Sequence, residues 1–394
     1  MRFLVIATLC AVLSTAVMAS TQKKTDYAKE LTGFLEDVEK NYPFFEVKGI
    51  RKDWSKASKD LLARAKKAKD DVEFVRLVDE ALRCLRDGHA SFLEVRPKMP
   101  PGEAQFGPGV ALAPAAGNRV TVLASSPDLA GRLPPGTVIT EVDGKEARGA
   151  MEARGRSAWE RGGYFSSPQR ALFFEYRVPF LGPRGAKTTL HYLDGSVEKS
   201  IELRGDQEFK GWLHEYNLPE GLAQEGRSLW HGLLDGKFGY LYLRRMDEGI
   251  AEGLEAAIAA REVSGWVVDL RGNTGGGYSD ALLTATRKLK KPVVAIIDAG
   301  CISAGETFAR DLKREVEATI IGATSAGSSS QKRSFEFPSG VAKLQYSIKS
   351  RFGPDGRPIE WNGIRPDVEI EVDPLDVAAG RNTEIQAALR LLSR

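Results

Sequence analysis

The sequence predicts an α/β fold built on a parallel sheet, and residues 265–306 carry the three observations behind that prediction. Two apolar runs, Trp266–Leu270 and Val293–Ile297, have the length of buried strands. Each run ends in a turn of small residues, NTGGG after the first and AGCIS after the second. A helical pattern follows each turn, and this βαβα order brings the strand ends to one edge of a sheet.

Length and charge set the broad class of the protein. With 394 residues, the chain is long enough for two or three domains. It is 42% hydrophobic and 28% charged, within the ordinary range of soluble globular proteins. The formal net charge is +3, from 56 basic and 53 acidic residues, without a concentrated basic stripe. We therefore predict no nucleic-acid partner.

The first residues have the pattern of an export signal. Arg2 is followed by an apolar run, Phe3–Val17, and a small residue, Ala19, suits a cleavage site. The alternative is a membrane anchor, but the run is shorter than the ~20 residues that span a bilayer comfortably. We expect residues 1–19 to be removed, no stable membrane span, and a periplasmic or secreted mature protein.

Residues 20–96 predict a helical region that carries a histidine motif. Apolar residues recur at helical spacing in residues 27–38, and two further helices fit Lys56–Ala68 and Asp71–Leu85. The third helix ends at the turn signal Asp87-Gly88. His89 follows directly, in DGHASF, between a helix end and a short strand.

A β-rich middle region follows the helices. Three short strand patterns in residues 103–160, with SSPDLAGRLPPG between the second and the third, resemble the second half of a PDZ domain. PDZ domains bind an extended chain end at a sheet edge; the alternative is a small β-rich spacer. Residues 161–229 predict a connecting segment, in which the strand patterns Leu172–Leu181 and Lys187–Leu203 suggest a hairpin around Leu193-Asp194-Gly195. Residues 230–394 predict the α/β core.

Ser303 is the candidate nucleophile. It lies at the strand-to-helix corner of CISAGE, where Ser303 and Glu306 also fit a capping box, which is the structural alternative. A hydroxyl beside unpaired amides is what acyl transfer requires. The glycines of the preceding turn, with the amide of Ala304, are the candidate oxyanion donors.

The sequence offers His89 as the best general base. The other three histidines (His191, His214 and His231) fall in segments typical of hairpins or surface. Asp269, Arg271 and Asn273 fit a bracing role in the NTGGG turn, with Asp269 as a weaker candidate for a triad acid. The turn lacks the lysine of a nucleotide-binding loop, and no ligand cluster indicates a metal, so we predict no cofactor and no metal.

Five motifs in register resemble the tail-specific, or carboxyl-terminal processing, serine peptidases. They are DGHASF, VVDLRGNTGGG, CISAGE, GATSAG with a following Gln, and IEWNGIRPD, and the resemblance covers about residues 25–394. The resemblance implies a crotonase/ClpP-like catalytic core with a PDZ-like module and an N-terminal helical region. It also implies Ser303 as nucleophile, with Gly275 or Gly276 and Ala304 forming the oxyanion hole.

The loop after the nucleophile departs from the Ser–Lys branch of this family. The position of the dyad lysine is Gly327 or Ser328, and Lys332 lies beyond the motif's Gln. The resemblance is therefore to the tricorn-core-like branch, which pairs the serine with a histidine.

That branch implies His89 as base and Glu360 as the group that orients the imidazole, directly or through a hydroxyl. The supporting serine of the branch directly precedes its histidine, a position that is Gly88 here, and Ser91 is a possible substitute.

The expected function is an exported serine endopeptidase that cleaves unfolded chains or chain ends. A non-proteolytic binding protein on the same fold and an esterase-like hydrolase are the alternatives. If His89 and Ser303 meet, Cys84 and Cys301 come into one neighbourhood, where either a disulfide or two free thiols is compatible with export. The sequence makes no prediction of oligomeric state.

Overall fold

A computed structural model describes residues 25–210 and 216–394, so the predicted signal peptide, residues 1–19, lies outside the described residues. The helices are α1 Tyr27–Asn41, α2 Arg51–Ala65, α3 Asp71–Cys84, α4 Ala147–Glu160, α5 Pro168–Arg177, α6 Ile250–Ala259, α7 Asp280–Thr286, α8 Ala304–Val316, α9 Ile359–Asn362, α10 Pro374–Ala378 and α11 Thr383–Leu392. The strands are β1 Ser91–Val95, β2 Phe106–Gly107, β3 Val110–Ala115, β4 Arg119–Ser125, β5 Val138–Val142, β6 Lys145–Glu146, β7 Lys187–Asp194, β8 Val197–Arg204, β9 Gln207–Glu208, β10 Ala223–Glu225, β11 Leu229–Leu234, β12 Phe238–Leu243, β13 Gly265–Asp269, β14 Val293–Ile297, β15 Thr319–Gly322, β16 Ser330–Glu336, β17 Ala342–Ser350 and β18 Val368–Glu369.

A seven-stranded sheet presents the candidate site at one edge. Its strand order is β10-β11-β12-β13-β14-β15-β18, and the strands from β12 onward are parallel. The two apolar runs predicted as strands are β13 and β14, both buried along their whole length. Because parallel strands end at one edge, the turns after β13 and β14 lie side by side.

The N-terminal helices pack against strands from the far end of the chain. Side chains from α1 and α3 share one hydrophobic core with β16 and β17. The ring of Phe34 lies 5.4 Å from that of Phe335 and 6.3 Å from that of Tyr346. Asp70 caps the start of α3 by accepting a hydrogen bond from the amide of Glu73 at 2.8 Å. This packing carries the end of α3, and His89 after it, towards the sheet edge.

The β-rich middle region forms a separate antiparallel sheet with its own core. Its order is β3-β4-β5-β7-β8, so β3 is an edge strand, and β7 and β8 form the predicted hairpin. The strand predicted at Leu172–Leu181 is wrong, because α5 covers most of that range. Ser167 caps α5 by accepting from the amide of Arg170 at 3.2 Å, and Pro168 occupies the first helical turn.

Across the described residues, the helices are all too short or too polar to cross a membrane.

Candidate active site

Ser303 stands at a strained corner between β14 and α8. Its backbone angles are φ 55° and ψ −117°, a conformation that costs energy for any residue with a side chain. The corner is held by the amide of Ser303, which donates to Glu306 Oε2 at 3.1 Å and to the Ser328 carbonyl at 2.9 Å. The hydroxyl lies 3.1 Å from His89 Nε2. The structure therefore brings together the two residues predicted as nucleophile and base, which lie 214 positions apart.

A tight turn after α3 aims the ring of His89. The backbone of Arg86 is left-handed, with φ 47°. Asp87 then accepts a hydrogen bond from the His89 amide at 2.9 Å through Oδ1. From Ser91 onward the chain pairs with β17, and that pairing fixes the other side of the turn.

A chain of hydroxyls connects the second ring nitrogen to a buried carboxylate. Nδ1 of His89 lies 3.4 Å from Ser330 Oγ, and Ser330 is hydrogen-bonded to the hydroxyl of Ser347. Ser347 donates to Asp87 Oδ1 at 3.0 Å, and Asp87 is fully buried. These hydrogen bonds can all point in one direction, from Nδ1–H through the two hydroxyls to the carboxylate. This direction leaves Nε2 unprotonated and facing Ser303.

No local pattern in the sequence points to this chain of hydrogen bonds. Asp87 stands two residues before His89, but its pairing with glycine indicated only a turn. Ser330 and Ser347 carry no distinguishing pattern, and only the fold brings them to the ring.

Glu360 is buried near His89 but does not contact its ring directly. Its Oε1 forms an ion pair with Lys48 Nζ at 2.8 Å, and both side chains are fully buried. One carboxylate oxygen lies within 4.8 Å of a ring nitrogen of His89, while Oε2 has no hydrogen-bonding partner among the described residues. Burial raises the pKa of Glu360 to about 7, and the Lys48 ammonium opposes that rise. The expectation that Glu360 hydrogen-bonds the imidazole itself is corrected, because Lys48 holds the carboxylate away from it.

The predicted substitute for the supporting serine is also wrong. Ser91 Oγ lies 3.5 Å from the main-chain carbonyl of His89, not from its ring. A serine at position 88 would require neighbouring hydroxyls to move, because a Cβ there would lie 2.7 Å from Ser328 Oγ and 3.3 Å from Ser166 Oγ. These two hydroxyls fill the space that a side chain at position 88 would need.

Two uncommitted amides lie next to the nucleophile. Gly275 packs so closely that a Cβ would meet the Cβ of Ser303 at 2.7 Å. Its amide donates to Asn273 Oδ1 at 2.9 Å, so the prediction of Gly275 as an oxyanion donor is corrected. Within the part of the chain that is described, the amides of Gly276 and Ala304 have no acceptor. They are the donors available to a developing oxyanion.

Glu306 organises the loop in which the Ser–Lys branch carries its lysine. Its buried carboxylate accepts from Ser325 Oγ at 2.6 Å and from the amides of Gly327 and Ser328 at 2.7 and 2.9 Å. The same carboxylate accepts from the amide of Ser303. Burial raises the pKa of Glu306 to about 7, and these donors oppose the rise. The loop therefore fixes the Ser303 corner through Glu306 without supplying a base.

Asp269 braces the turn after β13 and takes no part in the hydrogen bonds that the ring of His89 forms among the described residues. It accepts from Arg271 Nε at 2.9 Å and from the hydroxyl of Tyr240 at 2.8 Å.

Cys84 and Cys301 are both free thiols, so the disulfide alternative is wrong.

The electrostatics of His89 favour a neutral base. Burial lowers the pKa of His89 below its usual 6.5. The Asp87 carboxylate opposes this shift, and the charges of Lys332 and Lys48 add to it.

Three side chains near Ser303 have the spacing of a metal site. One ligand atom each from Asp87, His89 and Glu360 lies within 4.8 Å of the others. The Lys48 ammonium, 2.8 Å from Glu360 Oε1, would repel a cation bound beside it.

Comparison with known proteins finds similarity to one peptidase family. Peptidase family S41 matches residues 281–370, which include Ser303. A carboxy-terminal-processing protease of Bartonella bacilliformis is 30% identical over 173 residues, which are 35% of this chain and 40% of that protein. The carboxy-terminal processing protease CtpA of Bacillus subtilis is 24% identical over 175 residues, 37% of each chain. The chain thus spans about two fifths of the length of these curated relatives.

The structural comparison extends over nearly the whole chain. Mature CPAF in complex with lactacystin superposes with a TM-score of 0.58 at 14% identity, covering 93% of this chain and 97% of that one. At that identity the similarity concerns the fold alone. The match to peptidase family S41 and the processing-protease relatives support the tail-specific, or carboxyl-terminal processing, serine peptidase family for this chain.

Proposed function

We propose that this chain is an exported serine endopeptidase in which Ser303 attacks the scissile carbonyl and His89 accepts its proton. The observation that carries the proposal is the 3.1 Å contact between Ser303 Oγ and His89 Nε2 at a strained helix start. On attack, the proton moves from Oγ to Nε2, and the developing oxyanion accepts hydrogen bonds from the amides of Gly276 and Ala304. His89 then returns the proton to the leaving amine, and water hydrolyses the acyl-enzyme by the same route.

Labelling with a fluorophosphonate probe tests this proposal. The wild-type protein is expected to form a covalent adduct that peptide mapping assigns to Ser303, and the Ser303→Ala variant is expected to form none. Comparing casein with a short ester as substrate then separates a peptidase from an esterase. Wild-type protein that neither labels nor cleaves casein would favour the non-proteolytic alternative.

We propose Asp87 as the positioning residue of the imidazole, acting through Ser330 and Ser347. The resemblance gives this role to Glu360, but the observed hydrogen bonds from Nδ1 lead to Asp87. Glu360 remains a neighbouring buried carboxylate that is paired with Lys48.

The variants Asp87→Asn and Glu360→Gln should therefore differ. We expect Asp87→Asn to lower kcat roughly 10²- to 10⁴-fold, because an amide in place of the final acceptor disfavours the productive tautomer. Glu360→Gln keeps the shape of the side chain, and we expect less than about a tenfold loss. Steady-state kinetics on both variants, with thermal melts as the folding control, makes the comparison. A larger loss in Glu360→Gln would return the orienting role to Glu360.

The pH profile should report the lowered pKa of His89. A protonated imidazole cannot accept the proton of Ser303, so kcat/KM should fall as the pH drops through a midpoint below 6.5. Lys332→Gln removes a cation that lowers this pKa and should move the midpoint to higher pH by roughly a few tenths of a unit. Lys343→Gln, on the neighbouring strand, is the matched control and should leave the midpoint unchanged. A midpoint that moves downward in Lys332→Gln would contradict the assignment.

We propose further that the chain has the modular organisation expected from the sequence: a helical region over residues 20–96, a PDZ-like module over 103–160, a connecting segment over 161–229 and a crotonase-like core over 230–394. The alternation of β12 to β15 with α6, α7 and α8 supports the core. The signal pattern in residues 1–19 supports export, which N-terminal sequencing of the mature protein tests.

The edge of β3 is where we place the PDZ-like binding of a chain end. The strand is the last of its sheet, its outer edge is bridged to Val372 at Ala115, α5 packs beside it, and a cavity of about 300 Å³ lies at its start. Gly109, Val110 and Leu181 are among the residues that line this cavity. Leu181→Asp should weaken binding of an extended ten-residue peptide to the Ser303→Ala protein; unchanged affinity would exclude this edge.

A further inference from the structure

The residues that lead into α5 form hydrogen bonds with four of the loops around the candidate site. We call residues 166–170 the α5 start, and its two serines, Ser166 and Ser167, are fully buried. The sequence predicted only a connecting segment here. The side-chain hydrogen bonds join Ser166 to Gly88 and Ser328, Ser167 to Ala326, Gln169 to Trp361, and Arg170 to Ala299.

The hydroxyl of Ser166 lies between the turn that carries the base and the loop that holds the nucleophile. On one side it accepts a hydrogen bond from the amide of Gly88, the residue before His89, at 2.9 Å. On the other side it donates to Ser328 Oγ at 3.1 Å. The carbonyl of Ser328 in turn accepts from the amide of Ser303 at 2.9 Å. One buried hydroxyl therefore connects the two backbones that carry the contact between His89 and Ser303.

The neighbours of Ser166 in the α5 start hold it in place. Ser167 Oγ donates to the carbonyl of Ala326 at 2.6 Å and accepts from the amide of Arg170 at 3.2 Å, which joins the first turn of α5 to the loop after β15. The guanidinium of Arg170 donates to the carbonyl of Ala299, just after β14, at 2.7 Å. A side chain that is fixed by surrounding hydrogen bonds can in turn fix the geometry of a reacting pair.

Gly88 permits the close approach of this hydroxyl to the histidine turn. A Cβ on residue 88 would lie 3.3 Å from Ser166 Oγ and 2.7 Å from Ser328 Oγ. A side chain there would require these hydroxyls to move. The bridge from the turn to the loop therefore depends on a glycine at position 88 and on a serine at each of the other two positions.

We propose that Ser166 is a positioning residue that sets the separation of His89 Nε2 and Ser303 Oγ, which is 3.1 Å. Displacing a reacting group by about 1 Å can cost roughly 100-fold in rate, so a tether on both backbones matters to proton transfer. The proposal rests on the proposed function of His89 and Ser303. It gives a role in that reaction to a segment outside the predicted catalytic core.

The variant Ser166→Ala tests the proposal, because it removes the bridging hydroxyl and keeps the backbone. For an internally quenched peptide, we expect kcat to fall roughly 10- to 100-fold while KM changes less than about threefold. Labelling of Ser303 by a fluorophosphonate should slow by a similar factor. Ser125→Ala is the matched control: it removes a hydroxyl that donates to the carbonyl of Leu133 at 2.6 Å in the other sheet, and it should keep the wild-type kcat.

Ser328→Ala removes the same bridge from its other end. It should lower kcat without exceeding the loss in Ser166→Ala, and the double variant should be no slower than Ser166→Ala, because both changes break one connection. Thermal melts report folding, and if Ser166→Ala does not fold, the same criteria apply to Ser328→Ala.

The His89→Ala background separates positioning from a general structural role. A residue that acts through His89 has nothing left to position there, so Ser166→Ala should change the residual labelling rate by less than about twofold. A larger loss in that background, or a kcat of Ser166→Ala within about twofold of the wild-type value, would overturn the proposal. Wild-type protein that is neither labelled nor active would refute the proposed function and this inference with it, whereas active wild-type protein with an unaffected Ser166→Ala variant would refute this inference alone.

Discussion

Replacing His89 by alanine is expected to lower the rate of peptide hydrolysis by at least about 10⁴-fold, with KM changed much less. His89 Nε2 is the hydrogen-bonding partner of the Ser303 hydroxyl within the described residues, so its loss leaves the nucleophile without a base. Ser303→Ala should produce a loss of similar size. The double variant should be no slower than either single variant, because the two groups act as one unit.

Steady-state kinetics on an internally quenched peptide makes this comparison. His191→Ala is the matched control, since His191 lies on β7 in the other sheet, and it should retain wild-type kcat. Residual activity in His89→Ala above about one hundredth of the wild-type rate would point to a different base. An additive loss in the double variant would show that the two residues work independently.

Lys48→Met is expected to lower the free energy of unfolding by about 3–5 kcal/mol. Lys48 and Glu360 are fully buried and paired at 2.8 Å, and Lys48 also donates to the carbonyl of Arg86 at 2.8 Å. Removing the cation leaves a buried carboxylate without its counter-charge. The exposed Lys52→Met, on α2, is the matched control and should change stability by less than about 0.5 kcal/mol.

The loss of stability caused by Lys48→Met should depend on pH. Burial raises the pKa of Glu360 in the folded state to about 7, above its usual 4.5, so the penalty for burying it appears as the pH rises through the folded value. Without Lys48, the pKa of Glu360 in the folded state rises further. Urea unfolding should therefore show a larger deficit at pH 8 than at pH 5.5, and Lys48→Met with Glu360→Gln should recover part of the loss. A deficit independent of pH would show that packing, and not charge, is responsible.

The elements that the sequence predicted well are those with an unambiguous period. The predicted range of β14 coincides with the observed one, because a short apolar run between breakers has one interpretation. The segment of α5 has apolar residues at positions that suit either period. Its Ser-Pro start is the feature that favours a helix.

The residues of the site likewise divide into those that the sequence could predict and those that it could not. Ser303 and His89 stand in motifs whose neighbours constrain their geometry, and both could be selected from the sequence. Ser330, Ser347 and Lys48 could not, because each acquires its role through contacts across more than two hundred residues that no local pattern encodes. Gly275 was selected because every glycine amide in the turn appeared equally available. Only the structure shows that Asn273 already occupies its amide.

The shared core of the N-terminal helices and the strands β16 and β17 has a consequence for biosynthesis. His89 has neither its ring partner Ser330 nor its nucleophile until the chain has been synthesised past residue 330, and Glu360 completes the buried ion pair later still. A nascent or partly threaded chain therefore contains the histidine and its helices but no hydrolytic machinery. The site is complete only when the two ends of the chain meet, so the topology itself keeps the proposed peptidase latent during synthesis.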